Sequence, residues 1–252
     1  METSDDAVLG GRLTLRQPLK GHRVGHDAIL LAAATGGCAG ERAVELGAGV
    51  GAAGLALAKR VGGLQAVLVE VDPALCALAA HNIACNGLAE LVRAVNADAE
   101  DADALAAAGL AAGTADRVLM NPPFNDPARH NVSPDARRRR AHVAAPGLLL
   151  RWVASASNLL KPGGVLTLIW RADGQDDVLE ALRDGFGDVV MLPVLPRPDA
   201  PPIRILVRAV RSGAASLRTL SALELNDASG RPSAAAEAVL RGGEVLPLAA
   251  IA

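Results

Sequence analysis

Four consecutive residues, Asn121-Pro122-Pro123-Phe124, combine a side-chain amide, a backbone stiffened by two prolines and an aromatic plate. The NH2 of an aromatic amine or an amide is a weak nucleophile, because its lone pair is delocalised into the neighbouring π system. An oxygen that accepts its hydrogens draws that pair back onto nitrogen. The Asn121 side-chain oxygen and the Pro122 backbone oxygen are acceptors of that kind, and Phe124 offers a face on which a ring can stack. In isolation an X-Pro-Pro turn does no more than end a strand, so its meaning depends on what shares its edge of the fold.

Three other groups of residues bear on that question. The run Glu45-Leu46-Gly47-Ala48-Gly49-Val50-Gly51 stands where an apolar strand gives way to an Ala/Leu-rich helix. Glycines let the chain turn sharply and let a ligand approach the backbone, and the helix N-terminus presents free N–H groups. The same turn serves a dinucleotide site, since Gly49 and Gly54 partly satisfy the G-x-G-x-x-G spacing, or it is merely a βα connection. Glu70 ends the next strand, where a carboxylate can accept from both hydroxyls of a ribose; Asp72 is a weaker choice. Asp98 ends the third strand, where it can take an exocyclic amine of adenine, in competition with a helix N-cap role. The stretch 125–145 holds Arg129, His130 and the run Arg137-Arg138-Arg139-Arg140, four cations that either grip substrate phosphates or form a solvated face. His130 and His142 receive no role.

These residues must be positioned by an alternation of short Val/Leu runs with helical segments from Arg42 to Val210, the pattern of β-α units on a parallel sheet. Strands are expected at Arg42–Leu46, Gln65–Val71, Leu91–Ala97, Ala115–Met120, Val165–Trp170, Val189–Leu195 and Ile203–Val210. Helices are expected at Ala52–Val61, from Pro73 to Gly87, near Asp101–Ala112, at Gly147–Leu160 and around Asp176–Arg183. The expected fold is therefore α/β, a Rossmann-like seven-stranded, mostly parallel sheet with helices on both faces. One more short strand, Leu217–Leu225, and a helix, Ala234–Arg241, complete the domain 41–252. Residues 1–40 form an extension, strand-like at Arg12–Arg16 and helical at Asp27–Ala34.

The 252 residues carry a net charge of −2, so nucleic-acid binding has to rest on a local patch. With 2% aromatic residues the core must be built from Ala, Leu and Val. The three cysteines, without C-x-x-C spacing, read as core filler in a reducing compartment. No run approaches the ~20 apolar residues of a membrane span, and the acidic N-terminus lacks a leader pattern, which predicts a cytoplasmic chain.

Together these motifs resemble the class I methyltransferases, over nearly the whole chain. The resemblance implies S-adenosylmethionine as cofactor, held by Glu45, Gly47, Gly49 and Gly51 at its methionine part and by Glu70 at its ribose, with Asn121 to Phe124 on the target amine. Transfer is then an in-line displacement governed by positioning and desolvation, and it calls for no metal. The segment Lys20-Gly-His-Arg-Val-Gly-His-Asp27-Ala-Ile-Leu-Leu-Ala further resembles the entry of the bacterial tRNA(Val) adenine-N6 methyltransferase family. In that family the entry lies over the cofactor, which implies pocket roles for Arg23 and Asp27, with an N-cap as the alternative for Asp27. The expected acceptor is adenine N6 in RNA, a tRNA first. Guanine N2, the glutamine amide of a release factor, and a non-catalytic cofactor-binding subunit stay open, although an intact Asn121-to-Phe124 turn speaks against the last.

Overall fold

The computed structural model describes residues 1–20, 23–123 and 147–251. The chain runs β1 (Thr3–Val8), β2 (Leu13–Pro18), α1 (His26–Ala34), β3 (Arg42–Leu46), α2 (Ala52–Arg60), β4 (Gln65–Glu70), α3 (Pro73–Cys85), β5 (Val92–Asn96), α4 (Ala102–Ala107) and β6 (Ala115–Met120). It continues with α5 (Leu148–Leu159), β7 (Leu160–Arg171), α6 (Gln175–Leu182), β8 (Phe186–Leu195), β9 (Arg204–Arg211), β10 (Leu217–Thr219), β11 (Leu223–Glu224) and α7 (Ala234–Leu240).

Seven strands form the expected mostly parallel sheet in the order β8-β9-β7-β6-β3-β4-β5, with β9 antiparallel to both neighbours. Two short strands extend it to nine, because 217–225 breaks into β10 and β11, both parallel to β8. From β3 the chain winds outward to β4 and β5, then returns to β6 on the other side of β3. That reversal opens a crevice at the carboxyl ends of β3 and β6. One apolar core, with α1, α2, α3 and α7, covers one face; another, with α4, α5 and α6, covers the other. In α2 all residues from Ala52 to Ala58 are buried, and small side chains let it sit close on the sheet.

The first strand was not foreseen, since Thr3–Val8 carries two aspartates. It forms because Asp5 faces Arg16 across the hairpin and receives two hydrogen bonds from its guanidinium, each 2.8 Å. Strand β2 docks on α3 by side chains that imitate a neighbouring strand. Asn86 accepts from the Thr14 N–H at 3.0 Å and donates to the Thr14 carbonyl at 2.8 Å, and Asn82 does the same with Arg16. Four helix residues rise about 6 Å and two strand residues about 6.6 Å, so the two amides match alternate residues of β2.

The cysteine expectation needs correction. Only Cys76 is buried, whereas Cys38 and Cys85 are exposed, and Cys85 Sγ lies 3.2 Å from His81 Nε2.

Candidate active site

Register brings the expected residues to one edge. Leu46 pairs with Met120 and with Val69, so Asn121, Gly47 and Glu70 follow one another on the adjacent strands β6, β3 and β4, and Glu70 pairs with Asn96 of β5. Neighbouring strands lie about 4.8 Å apart, which sets the scale of the crevice.

At the first turn, Gly47 has φ +68°, and a Cβ there would run into the indole of Trp152 on α5. A side chain is thus excluded by backbone conformation and by space. A Cβ on Gly49 would meet nothing within 4 Å, so the turn is open on that side. Helix α2 begins after Gly51, which has no side chain to cap it, so among the described residues only the Gly54 N–H of its first turn has a side-chain acceptor, Glu45. Opening and uncapped donors together fit an anionic or polar ligand group.

The two glutamates are engaged with the turn itself. Glu45 is 5% exposed, and its Oε2 accepts the Gly54 N–H at 2.7 Å. A Cβ on Gly54 would press on that oxygen and on Leu68, so this glycine, half-noticed in the sequence, belongs to the brace. Burial, reinforced by the charge of Glu70, pushes the Glu45 carboxyl up to about 8 against the pull of the Gly54 N–H. Glu70, also buried, accepts from the Gly49 N–H at 2.7 Å and the Asp72 N–H at 2.8 Å. Its pKa is raised by burial, which these two N–H groups oppose and the Asp72 charge assists. Each Glu70 oxygen keeps a lone pair, so two backbone bonds do not exhaust its capacity.

Asp72 caps α3, accepting from Ala74 N–H at 2.8 Å and Leu75 N–H at 3.3 Å. Between it and Glu70, Val71 is 62% exposed, an apolar side chain on the rim that no motif in the sequence marks. Asp98 is exposed and accepts the Glu100 N–H at 2.9 Å in a turn, while the N-cap of α4 is Asp101. Glu100 accepts from Trp152 Nε1 at 3.3 Å and pairs with Arg151, tying α5 to the loop after β5.

Asn121 is half-buried at the end of β6. Its Oδ1 is inaccessible and, among the described residues, accepts no hydrogen bond. A buried amide oxygen left without a donor costs free energy unless something supplies one. Pro122 and Pro123 follow it; Phe124, Arg129, His130, Arg137, Arg138, Arg139, Arg140 and His142 lie outside the described residues.

The structure gives Arg23 and Asp27 definite partners. Arg23 pairs with Asp6 at 2.6 Å and donates to Ser4 and the Pro18 carbonyl, so it is bound to the hairpin. Asp27 is not the N-cap of α1, which is Gly25; it pairs with Arg204 of β9 at 2.9 Å, a partner 177 residues away that no local pattern reveals.

Comparison with known proteins agrees with this layout. A family model, Methyltransferase small domain, matches residues 26–193. A release factor glutamine methyltransferase of Chlorobaculum tepidum is 31% identical over 155 residues, 59% of this chain and about half, 52%, of that protein's length. A tRNA1(Val) (adenine(37)-N6)-methyltransferase of Dickeya chrysanthemi is 27% identical over 246 residues, covering 93% of this chain and 94% of that one. Among solved structures, a protein described as a predicted O-methyltransferase of Agrobacterium tumefaciens is similar with a TM-score of 0.73 at 26% identity, over 87% of this chain and 98% of the other.

Proposed function

This chain belongs to the methyltransferase small domain family, and we propose that it is an S-adenosylmethionine-dependent N-methyltransferase acting on an exocyclic amine of a nucleobase in RNA, adenine N6 of a tRNA first. The observation that carries the reading is the buried Asn121 Oδ1, without a partner among the described residues, at the end of the strand beside the glycine turn. The reading requires that the substrate NH2 reach this oxygen, which then accepts one of its hydrogens while the Pro122 carbonyl takes the second. Bound S-adenosylmethionine supplies a methyl group on a sulfonium, an electrophile that needs only a correctly aimed lone pair.

The chain's own residues then divide the work. Gly47, Gly49 and Gly51 admit the cofactor's methionine end to the backbone, and Glu45 braces the turn through Gly54. Glu70 would hold the ribose hydroxyls with its remaining lone pairs, and Val71 and Asp98 would hold the adenine end. Phe124 stacks on the acceptor base and Arg137 to Arg140 hold RNA phosphates. Residues 1–40 form the cover over this seat, with Arg23 and Asp27 setting its wall through Asp6 and Arg204. No helix among the described residues is long and apolar enough to cross a membrane, and the reading is of a chain that meets its tRNA in the cytoplasm.

The RNA reading is favoured over a glutamine amide because the tRNA-modifying relative aligns over 94% of its length against 52% for the release-factor enzyme. The 31% identity of the latter keeps the amide as the second reading. Both are decided by incubating the protein with methyl-labelled cofactor and, separately, tRNA and release-factor protein. The expected product is N6-methyladenosine in tRNA. Asn121→Ala should lower kcat by about 10²- to 10³-fold, with the affinity for S-adenosylhomocysteine unchanged. Label found only in protein would transfer the assignment to the amide, and full turnover by the variant would remove Asn121 from the mechanism.

A further inference from the structure

We propose that Asn82 is a positioning residue of the cofactor seat, latching the N-terminal hairpin to the centre of the glycine turn; the inference rests on the turn 47–51 being that seat. Asn82 lies in α3 with no exposed surface, and its carboxamide makes three bonds that use both of its donors. Its Oδ1 accepts the Arg16 N–H at 2.7 Å, and its Nδ2 donates to the Arg16 carbonyl and to the Val50 carbonyl, both at 3.0 Å. The same Val50–Gly51 peptide is held at its other end, where the Gly51 N–H donates to the Ala48 carbonyl at 2.8 Å. Because a peptide group is a rigid plane, pinning both ends fixes its orientation and with it the direction of the first N–H groups of α2. On the preceding residue the Gly49 N–H is held by Glu70. Three glycines in five residues make a turn with many accessible shapes, and Asn82 removes that freedom from outside the turn.

Docking the hairpin does not by itself require the bond to Val50. Asn86, one helical turn later, binds β2 through Thr14 in the same two-bond fashion and has no bond to the glycine turn. That contrast separates positioning from simple support. Asn82→Asp preserves shape and the acceptor for the Arg16 N–H while removing the donor to the Val50 and Arg16 carbonyls; Asn82→Ser, uncharged and smaller, serves if a buried carboxylate prevents folding. Binding of S-adenosylhomocysteine to the full chain is measured by calorimetry beside thermal unfolding, with Asn86→Ala and Glu70→Ala for comparison. The Asn82 variant should bind about tenfold more weakly, the effect on the turn of the Val50 carbonyl losing its donor, while the Arg16 carbonyl loses its own. Asn86→Ala should bind within about twofold of the parent although it too loses stability, as expected when the bonds removed, two to Thr14 and one to the Asn82 carbonyl, leave the glycine turn untouched. Undiminished binding by the Asn82 variant alongside a loss in Glu70→Ala overturns the latch, as do equal losses in the Asn82 and Asn86 variants. Undiminished binding in both the Asn82 and Glu70 variants overturns the seat, and the latch with it.

Discussion

Among single residues, Glu45 makes the sharpest demand on its surroundings. Its carboxyl is buried, holds one backbone N–H and has Glu70 for a neighbour, so the fold favours the neutral acid up to about pH 8, whereas the unfolded chain ionises it near 4.5. The stabilisation from the neutral acid is therefore fully present below about pH 4.5 and is lost as pH rises from there to about 8. Glu45→Gln retains an acceptor for the Gly54 N–H and cannot ionise. Denaturant melts at pH 5 and pH 8.5 should show a smaller pH-dependent loss in the variant than in the parent, and identical losses would mean that Glu45 is not the titrating group. Asn121 presents the opposite case, a neutral acceptor that takes no hydrogen bond among the described residues. The motif 121–124 could be read from sequence because its chemistry is local. The bonds that Glu45 and Glu70 make to Gly54 and Gly49 could not be read, since each depends on a turn that brings distant residues together.

At the level of elements, α3 does more than connect β4 to β5 across one face of the sheet. Pro73 at its first position and the Asp72 side chain start it, as the sequence led one to expect of the proline. Asn82 and Asn86 then bind the hairpin. Asp72→Ala should reduce stability by about 1 kcal/mol, the usual cost of a lost N-cap, and leave S-adenosylhomocysteine affinity unchanged. A tenfold loss of affinity would instead make Asp72 a ribose ligand beside Glu70. The hairpin shows why local pattern was incomplete: Thr3–Val8 has poor strand propensity, and its pairing is stabilised by Asp5–Arg16 and by packing of Leu13 and Leu15 into the core.

Across the whole molecule, the C-terminal 40 residues close the fold. They add β10 and β11 beside β8, and their last turn buries Leu246 and Leu248 against α1, where the Leu246 N–H donates to the Ala33 carbonyl at 2.9 Å. Leu248, in the 3-10 turn Pro247–Ala250, is 1% exposed, so Leu248→Ala should cost about 2–5 kcal/mol in denaturant unfolding. A loss below about 1 kcal/mol, the level of ordinary surface changes, would show this segment to be an appendage. The same closure carries Arg204 on β9 to Asp27 on α1, which joins the expected covering segment to the far half of the sheet.

The sequence by itself determined the alternation of strands and helices, a seven-stranded, mostly parallel sheet, and which residue types stand at its strand ends, because side-chain period, glycine and proline act over a few neighbours. The tertiary structure decided who partners whom. Arg23 turned to Asp6, Asp27 to Arg204, and Asn82 to Arg16 and Val50, since a charged or amide side chain takes whichever complement the packed chain brings within about 3 Å. That proximity is set by the closure of the sheet and its two cores, over separations at which local periodicity carries no information.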